Sequence, residues 1–390
     1  MKRLAALLAA PLLLVTALAG CSSDSTTDAD STTTTAAPAG RLKLNELQMI
    51  GTHNSYHVAP EAKLFAAEKA VAAQLGSQAS ALGDINSLGY THAPLTTQLD
   101  RGIRSFELDA WADPAGGLFA HPLAPTLLQI ADTTLPTGLD KPGFKVLHIV
   151  DIDFISTCQT LVGCLTEIRT WSDAHPKHVP IVINLELKDD ALPAPLNATK
   201  VVPIDGPQMD ALDAEIRSVF DDATLLTPDD VRGKASTLRQ AVTTTGWPAL
   251  DDIRGTVMFF MDNGGRYRDD YLAGHPSLKG RVLFTSAAAD GDDDEAVVKV
   301  NDPKEAPRIT QLVKQGFFVR TRADADLVEA TANDTTNRTI TLGSGAQVVS
   351  TDFPIGEAAS NGYDVAFKAG PQVRCNAVVV KRCPTGPLEP

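Results

Sequence analysis

From Leu47 onward, short apolar runs alternate with helical patterns and turn clusters, and several of the runs close on polar residues. Such alternation marks repeated βα units and a parallel sheet, because a crossover must carry the chain back before the next strand can run the same way. Eight runs qualify as strands: Leu47 to Gly51, Ser105 to Asp109, Leu118 to Ala120, Ile181 to Leu187, Val257 to Met261, Val282 to Thr285, Phe317 to Arg320 and Ala346 to Ser350. Between them Met209, Leu212, Ile216, Val219 and Phe220 recur at helical spacing. Thr227-Pro228-Asp229-Asp230 is a helix start, with proline at the first helical position. Eight strands over about 300 residues predict an α/β fold, a single-domain TIM-like (β/α) barrel spanning 44–356. The link from the second strand to the third is too short for a helix, so a hairpin-like irregularity is expected there. Leu192 to Pro207 and Asp290 to Glu295 read as long loops.

The chain has apolar material for such a core, with 43% hydrophobic and 21% charged residues. Its formal charge of -14 disfavours nucleic-acid binding and broad adhesion to anionic lipid, both of which need clustered cations. Lys2 and Arg3 precede an apolar run from Leu4 to Ala19, the pattern of an export signal. The run ends in Leu18-Ala19-Gly20-Cys21, which resembles the lipobox of bacterial lipoproteins and makes Cys21 the expected lipidation site. Residues 1–20 are thus expected to be a lipoprotein signal peptide and 21–43 a flexible tether. Residues 357–390 are expected to be a C-terminal extension tied by a disulfide. The expected location is the cell envelope, as a lipoprotein on the outer face of the cytoplasmic membrane or in the periplasm, or secretion.

Export places the remaining cysteines, Cys158, Cys164, Cys375 and Cys383, in an oxidising compartment, and an even number suits two disulfides. Of three connectivities the local one, Cys158 with Cys164 and Cys375 with Cys383, is favoured. Six positions along a continuous helix span about 9 Å, too far for a bridge. The helix around Leu161 to Trp171 must therefore begin after Cys158 if that pair forms.

The unusual polar residues gather at strand ends, the rim where a barrel of this kind carries its active site. Thr52-His53-Asn54-Ser55 follows the first strand, Glu107 and Asp109 close the second, and His121 follows the third. Glu186 and Lys188 end the fourth, and Arg320 and Arg322 end the seventh. Glu107 and Asp109 alternate along a strand and so share a face, where two carboxylates repel unless a cation neutralises them. With Glu186 and the Asn54 carbonyl they make an all-oxygen set that suits hard Ca²⁺ or Mg²⁺ better than zinc. His53 and His121 flanking such an ion suit general acid and base. His57, His92, His148, His175, His178 and His275 are assigned structural or solvent roles.

Met49-Ile50-Gly51-Thr52-His53-Asn54-Ser55-Tyr56-His57, Arg104-Ser105-Phe106-Glu107-Leu108-Asp109, Phe119-Ala120-His121-Pro122 and Asn184-Leu185-Glu186-Leu187-Lys188 follow one another in order. Together they resemble the calcium-dependent phosphatidylinositol-specific phospholipase C family of bacteria. Thr227 to Gly233, Gly246-Trp247-Pro248, Arg320 to Asp326 and Ser350-Thr351-Asp352-Phe353-Pro354 extend the resemblance over nearly all of 44–356. It implies a TIM-like barrel, a bound Ca²⁺ and cleavage of a phosphatidylinositol-type phosphodiester to diacylglycerol and cyclic or open inositol phosphate. Carried onto this chain, it makes His53 and His121 the catalytic pair and Asn54, Glu107, Asp109 and Glu186 the metal ligands. Lys188 and Arg322 are assigned to phosphate or head-group contacts. No separate lipid-binding module is recognisable, so contact with a phospholipid membrane falls to the barrel rim or to the anchor on Cys21. The competing readings are a glycerophosphodiesterase, a sphingomyelinase D-like enzyme and a non-catalytic surface-binding lipoprotein. The first usually carries His-Arg-Gly after its first strand, where this chain has His53-Asn54-Ser55.

Overall fold

The computed structural model describes residues 41–75, 84–130, 135–190, 192, 198–367 and 372–389. The signal segment, Cys21 and the tether up to residue 40 lie outside the described residues. Ten strands are present among them: β1 (Leu47–Thr52), β2 (Ser105–Trp111), β3 (Lys145–Val146), β4 (Ile181–Lys188), β5 (Val257–Met261), β6 (Leu283–Thr285), β7 (Val297–Lys299), β8 (Phe318–Arg322), β9 (Val348–Thr351) and β10 (Val373–Cys375). Eight of them pair in parallel in the order β6-β5-β4-β2-β1-β9-β8-β7. Across the remaining gap the Lys299 N–H donates to the Ser286 carbonyl at 3.0 Å, so the barrel is nearly closed. The two other strands run antiparallel, β3 on β2 and β10 on β1.

The strand count of eight is met with one substitution. Leu118 to Ala120 is not a strand, because Gly116 and Gly117 both adopt positive φ and the Asp113 carboxylate gathers the Gly116 and Leu118 N–H groups into a turn. The eighth barrel strand is instead β7, three residues that follow directly on an acidic loop. In place of the expected hairpin-like link to a third strand at Leu118, β2 is followed by the Asp113 turn, the short helix Leu123–Leu127 and the antiparallel β3.

Between β1 and β2 the register pairs Gly51 with Ser105, and a Cβ on Gly51 would lie 2.8 Å from the Ser105 Cβ. Only glycine lets the two strands approach this closely. On the other flank, β2 pairs with β4 through seven residues, setting Glu107 beside Asn184, Asp109 beside Glu186 and Trp111 beside Lys188. The intervening residues Phe106, Leu108, Ile183 and Leu185 are fully buried in the apolar core.

Both disulfides join the local pairs, Cys158–Cys164 and Cys375–Cys383. The helix carrying Cys164 starts at Leu161, capped by Thr160, which frees Cys158 to turn back. Thr227 caps the helix Pro228–Arg232 through a reciprocal bond with Asp230. The ends of the barrel sequence pack onto it. Arg41 pairs with Asp252, Lys43 donates to the Thr245 carbonyl, and from the C-terminal segment Glu389 pairs with Arg104.

Candidate active site

The turn after β1 is fastened to β2 before any chemistry is considered. The Ser55 N–H donates to the Glu107 carbonyl at 2.9 Å and the Ser55 hydroxyl accepts from the Glu107 N–H at 2.8 Å. Asn54 takes a left-handed conformation (φ 44°), which asparagine tolerates better than most residues. This places its side chain in the interior, where Oδ1 is buried and accepts no hydrogen bond among the described residues.

Glu107, Asp109 and Glu186 bring carboxylate oxygens within 4.8 Å of one another. Lys188 Nζ lies 3.3 Å from Asp109 and 3.0 Å from Glu186, while Arg320 pairs with Glu107. Burial, helped by Glu186 and Glu107 and opposed by Lys188, pushes the Asp109 carboxyl well above the usual carboxylate range. Burial acts the same way on Glu107, but Arg320 and His53 reverse it and hold that carboxyl below its usual value. These three carboxylates and the buried Asn54 Oδ1 offer oxygen donors.

His53 leaves β1 on the same rim. Its Nδ1 lies 2.7 Å from Asp352 Oδ1, and its Nε2 faces Arg322 Nη1 at 3.2 Å and Glu107 Oε1 at 3.6 Å. Burial works against the Asp352 carboxylate, yet His53 and Arg322 bring it down to about 2. The ring's backbone is pinned as well, since His92 Nε2 donates to the His53 carbonyl and His92 Nδ1 to Glu357.

A cavity of about 420 Å³ opens over this set, lined among others by His53, Asn54, Lys188, Arg322, Asp352 and His148. His148 is a residue the sequence reading set aside. It stands two positions beyond β3, and its Nδ1 lies 2.8 Å from Asp153 Oδ2, the same oxygen that His57 Nε2 approaches at 2.8 Å. Burial lowers the His148 pKa despite the Asp153 carboxylate. His121, by contrast, is exposed and borders a separate depression with Pro122, Pro125 and Leu135. Its assignment rested on a strand ending at Ala120, and without that strand nothing carries it to the rim cavity. Of the predicted residues, His53, Asn54, Glu107, Asp109, Glu186, Lys188 and Arg322 are brought together. Asp352, within Ser350-Thr351-Asp352-Phe353-Pro354, and Asp153, in the run after His148, join the site through their histidines and carry no mark of that role in the strand-end pattern.

The fold is thus a nearly closed parallel barrel with an oxygen-ligand cluster and histidines at its C-terminal rim. The family profile for phosphoinositide phospholipase C, Ca²⁺-dependent, matches residues 42–377, and the chain belongs to that family. Among solved structures it is similar to a calcium-dependent phosphoinositol-specific phospholipase C from Pseudomonas sp. with myo-inositol bound. That likeness has 15% identity and a TM-score of 0.51 over 86% of this chain and 96% of that one. The Ca²⁺-dependent phosphatidylinositol-specific phospholipase C of Streptomyces antibioticus is 19% identical, with a TM-score of 0.49 over 80% and 95% of the two chains. No curated protein sequence matches. The cofactor of the family, Ca²⁺, fits the donors present: the carboxylates of Glu107, Asp109 and Glu186 and the Asn54 amide offer oxygens, and the buried Asn54 Oδ1 has no hydrogen-bond partner among the described residues.

Proposed function

We propose that the protein cleaves phosphatidylinositol-type phosphodiesters to diacylglycerol and a cyclic inositol phosphate, with His53 and His148 as the proton-handling pair. The observation that carries this reading is that one cavity is lined by two histidines, each backed by a buried aspartate, and by Lys188, whose ammonium pairs with Asp109 and Glu186 of the carboxylate cluster. Ca²⁺ held by Asn54, Glu107, Asp109 and Glu186 would supply Lewis-acid stabilisation of charge on the phosphate.

The chain's own groups account for the remainder. Arg322 and Lys188 present cations to the phosphate. His53 keeps Nδ1 on Asp352, and its Nε2, which faces the cavity beside Arg322, takes the proton of the attacking inositol hydroxyl. His148 keeps Nδ1 on Asp153, so Nε2 is the atom that gives a proton to the departing glycerol oxygen. Because the nucleophile is carried by the head-group itself, ring closure precedes any use of water.

Phosphorus NMR during turnover of phosphatidylinositol is expected to show the cyclic phosphate rising ahead of the open monoester. Phosphatidate with free inositol would overturn the reading. Cleavage only of a soluble glycerophosphodiester or of sphingomyelin would replace it with one of its rivals, and binding without cleavage would leave a surface-binding protein. The lipobox at Cys21 and the two disulfides support an exported, lipid-anchored form at the cell envelope that meets phospholipid substrate at a membrane. Incorporation of labelled palmitate into wild-type protein but not into a Cys21→Ala variant tests that part.

A further inference from the structure

Beside the rim cavity lies a second, smaller one of about 90 Å³, and its lining is almost wholly apolar. Val71 comes from the helix Ala62–Leu75, and Leu123, Leu127 and Leu128 from the helix Leu123–Leu127 and its cap. The two cavities draw their walls from three common chain segments. Leu192 lines both, Ile85 of the groove adjoins Asp84, Ser87 and Leu88 of the cavity, and Asp151 and Ile152 follow directly on Ile149 and Val150. Leu127, at 57% exposure, is among the large apolar side chains left open to solvent at this edge.

One group in the groove does not match its surroundings. Glu68 is only 6% exposed, lines the groove, and neither of its oxygens has a hydrogen-bond partner among the described residues. The other acid in the lining, Asp151, does have partners, accepting from the Leu123 N–H and from both the N–H and hydroxyl of Thr199. Burial, with the Asp153 charge behind it, pushes the Glu68 carboxyl up to about 8, so at neutral pH it carries a proton. A buried O–H with no acceptor is costly, and Glu68 makes no hydrogen bond to the lining among the described residues. What enters the groove must be apolar along its length and bring a single acceptor.

An ester-linked acyl chain has that composition. We propose that the groove receives an acyl chain of the glycerolipid half of the substrate and that the Glu68 carboxyl donates a hydrogen bond to its ester carbonyl. The proposal rests on the phospholipase reading, which puts the glycerol oxygen of a phosphoinositide in the adjoining cavity. It adds to that reading a specificity residue on the lipid side of the scissile bond.

Two variants and two measurements test it. Glu68→Gln keeps a donor in the same shape, and Glu68→Leu fills the same space without one. The kcat/KM for monomeric dihexanoylphosphatidylinositol is measured relative to that for glycerophosphoinositol, which has no acyl chains. This ratio should fall about five- to tenfold in Glu68→Leu, the worth of one hydrogen bond, and be kept in Glu68→Gln. Binding of dihexanoylphosphatidylmethanol, which has the acyl groups but no inositol, should weaken in the same variant by titration calorimetry. Turnover with an unchanged ratio in Glu68→Leu overturns the inference and leaves the phospholipase reading standing. Glu68-dependent lipid binding without phosphoinositide turnover would do the reverse. A lipid that neither binds nor reacts removes both.

Discussion

His53 Nδ1 and Asp352 Oδ1, 299 positions apart in the chain, are 2.7 Å apart in the barrel. The pairing fixes which ring nitrogen is free. With Nδ1 directed at a carboxylate, Nε2 is the atom that faces Arg322 and the cavity. Asp352 is itself held, since its N–H donates to Asp324 Oδ1 at 3.0 Å, and Thr351 and Tyr363 donate to the other Asp324 oxygen. Successive rim residues of β9 and its exit thus serve a histidine on β1.

Asp352→Asn removes the charge while keeping the shape, so the ring loses its orienting acceptor and the partner that stabilises a positive imidazole. A fall in kcat of about a hundredfold or more is expected, the scale of a misdirected acid/base group. KM should change by far less. Unchanged kcat would show that His53 needs no aspartate.

His148→Ala is expected to lower turnover by at least about a hundredfold, whereas His121→Ala should leave it within about twofold. The contrast follows from placement: one ring lines the rim cavity on an aspartate, the other is exposed at a separate surface depression. Steady-state rates of the two variants decide between them. A large loss for His121→Ala alone would reinstate the residue that the strand-end argument chose.

Much of this site could be read from local pattern. Phe106-Glu107-Leu108-Asp109 alternates apolar and acidic residues inside an otherwise buried strand, and such alternation puts both carboxylates on one face whatever the partner strand. The same holds for Glu186 and Lys188. His148 was not legible this way. It follows a strand of two residues whose antiparallel partner, β2, lies more than thirty positions earlier, and no periodicity exists over two residues. Nor could Asp113 be seen to turn the segment at Leu118, since that turn depends on positive φ at two adjacent glycines. Strand β7 failed for a related reason: Val297–Lys299 is shorter than any window in which alternation can be counted, and acids precede it.

The raised pKa of Glu68 makes a prediction about stability. The folded protein holds a proton there that the unfolded chain, with an ordinary carboxyl near 4.5, releases as pH rises. Between about 4.5 and about 8 the unfolded state therefore binds fewer protons, and this group's contribution to stability falls with rising pH. Glu68→Gln does not titrate. The melting temperature of wild type minus that of Glu68→Gln should accordingly decrease from pH 5 to pH 8.5, and a difference independent of pH would contradict a protonated buried carboxyl.

The last prediction separates the fold from its cation. Ca²⁺ binds the folded site and not the unfolded chain, so at a hundred times its dissociation constant it should add about 2.7 kcal/mol of stability and raise the melting temperature. Asp109 is fully buried between carboxylates and pairs with Lys188, which has Glu186 as a second partner. Asp109→Asn relieves the crowding of acids while retaining an oxygen in the same place. The variant should thus melt no lower than wild type in chelator. It should nevertheless lose most of the Ca²⁺-induced rise, together with turnover, because a neutral amide is a weaker ligand for a hard cation than a carboxylate. Differential scanning calorimetry in chelator and across a Ca²⁺ series gives both numbers from one sample. An equal Ca²⁺-induced rise in wild type and variant, or full turnover in chelator, would remove Asp109 and its neighbours from the metal site.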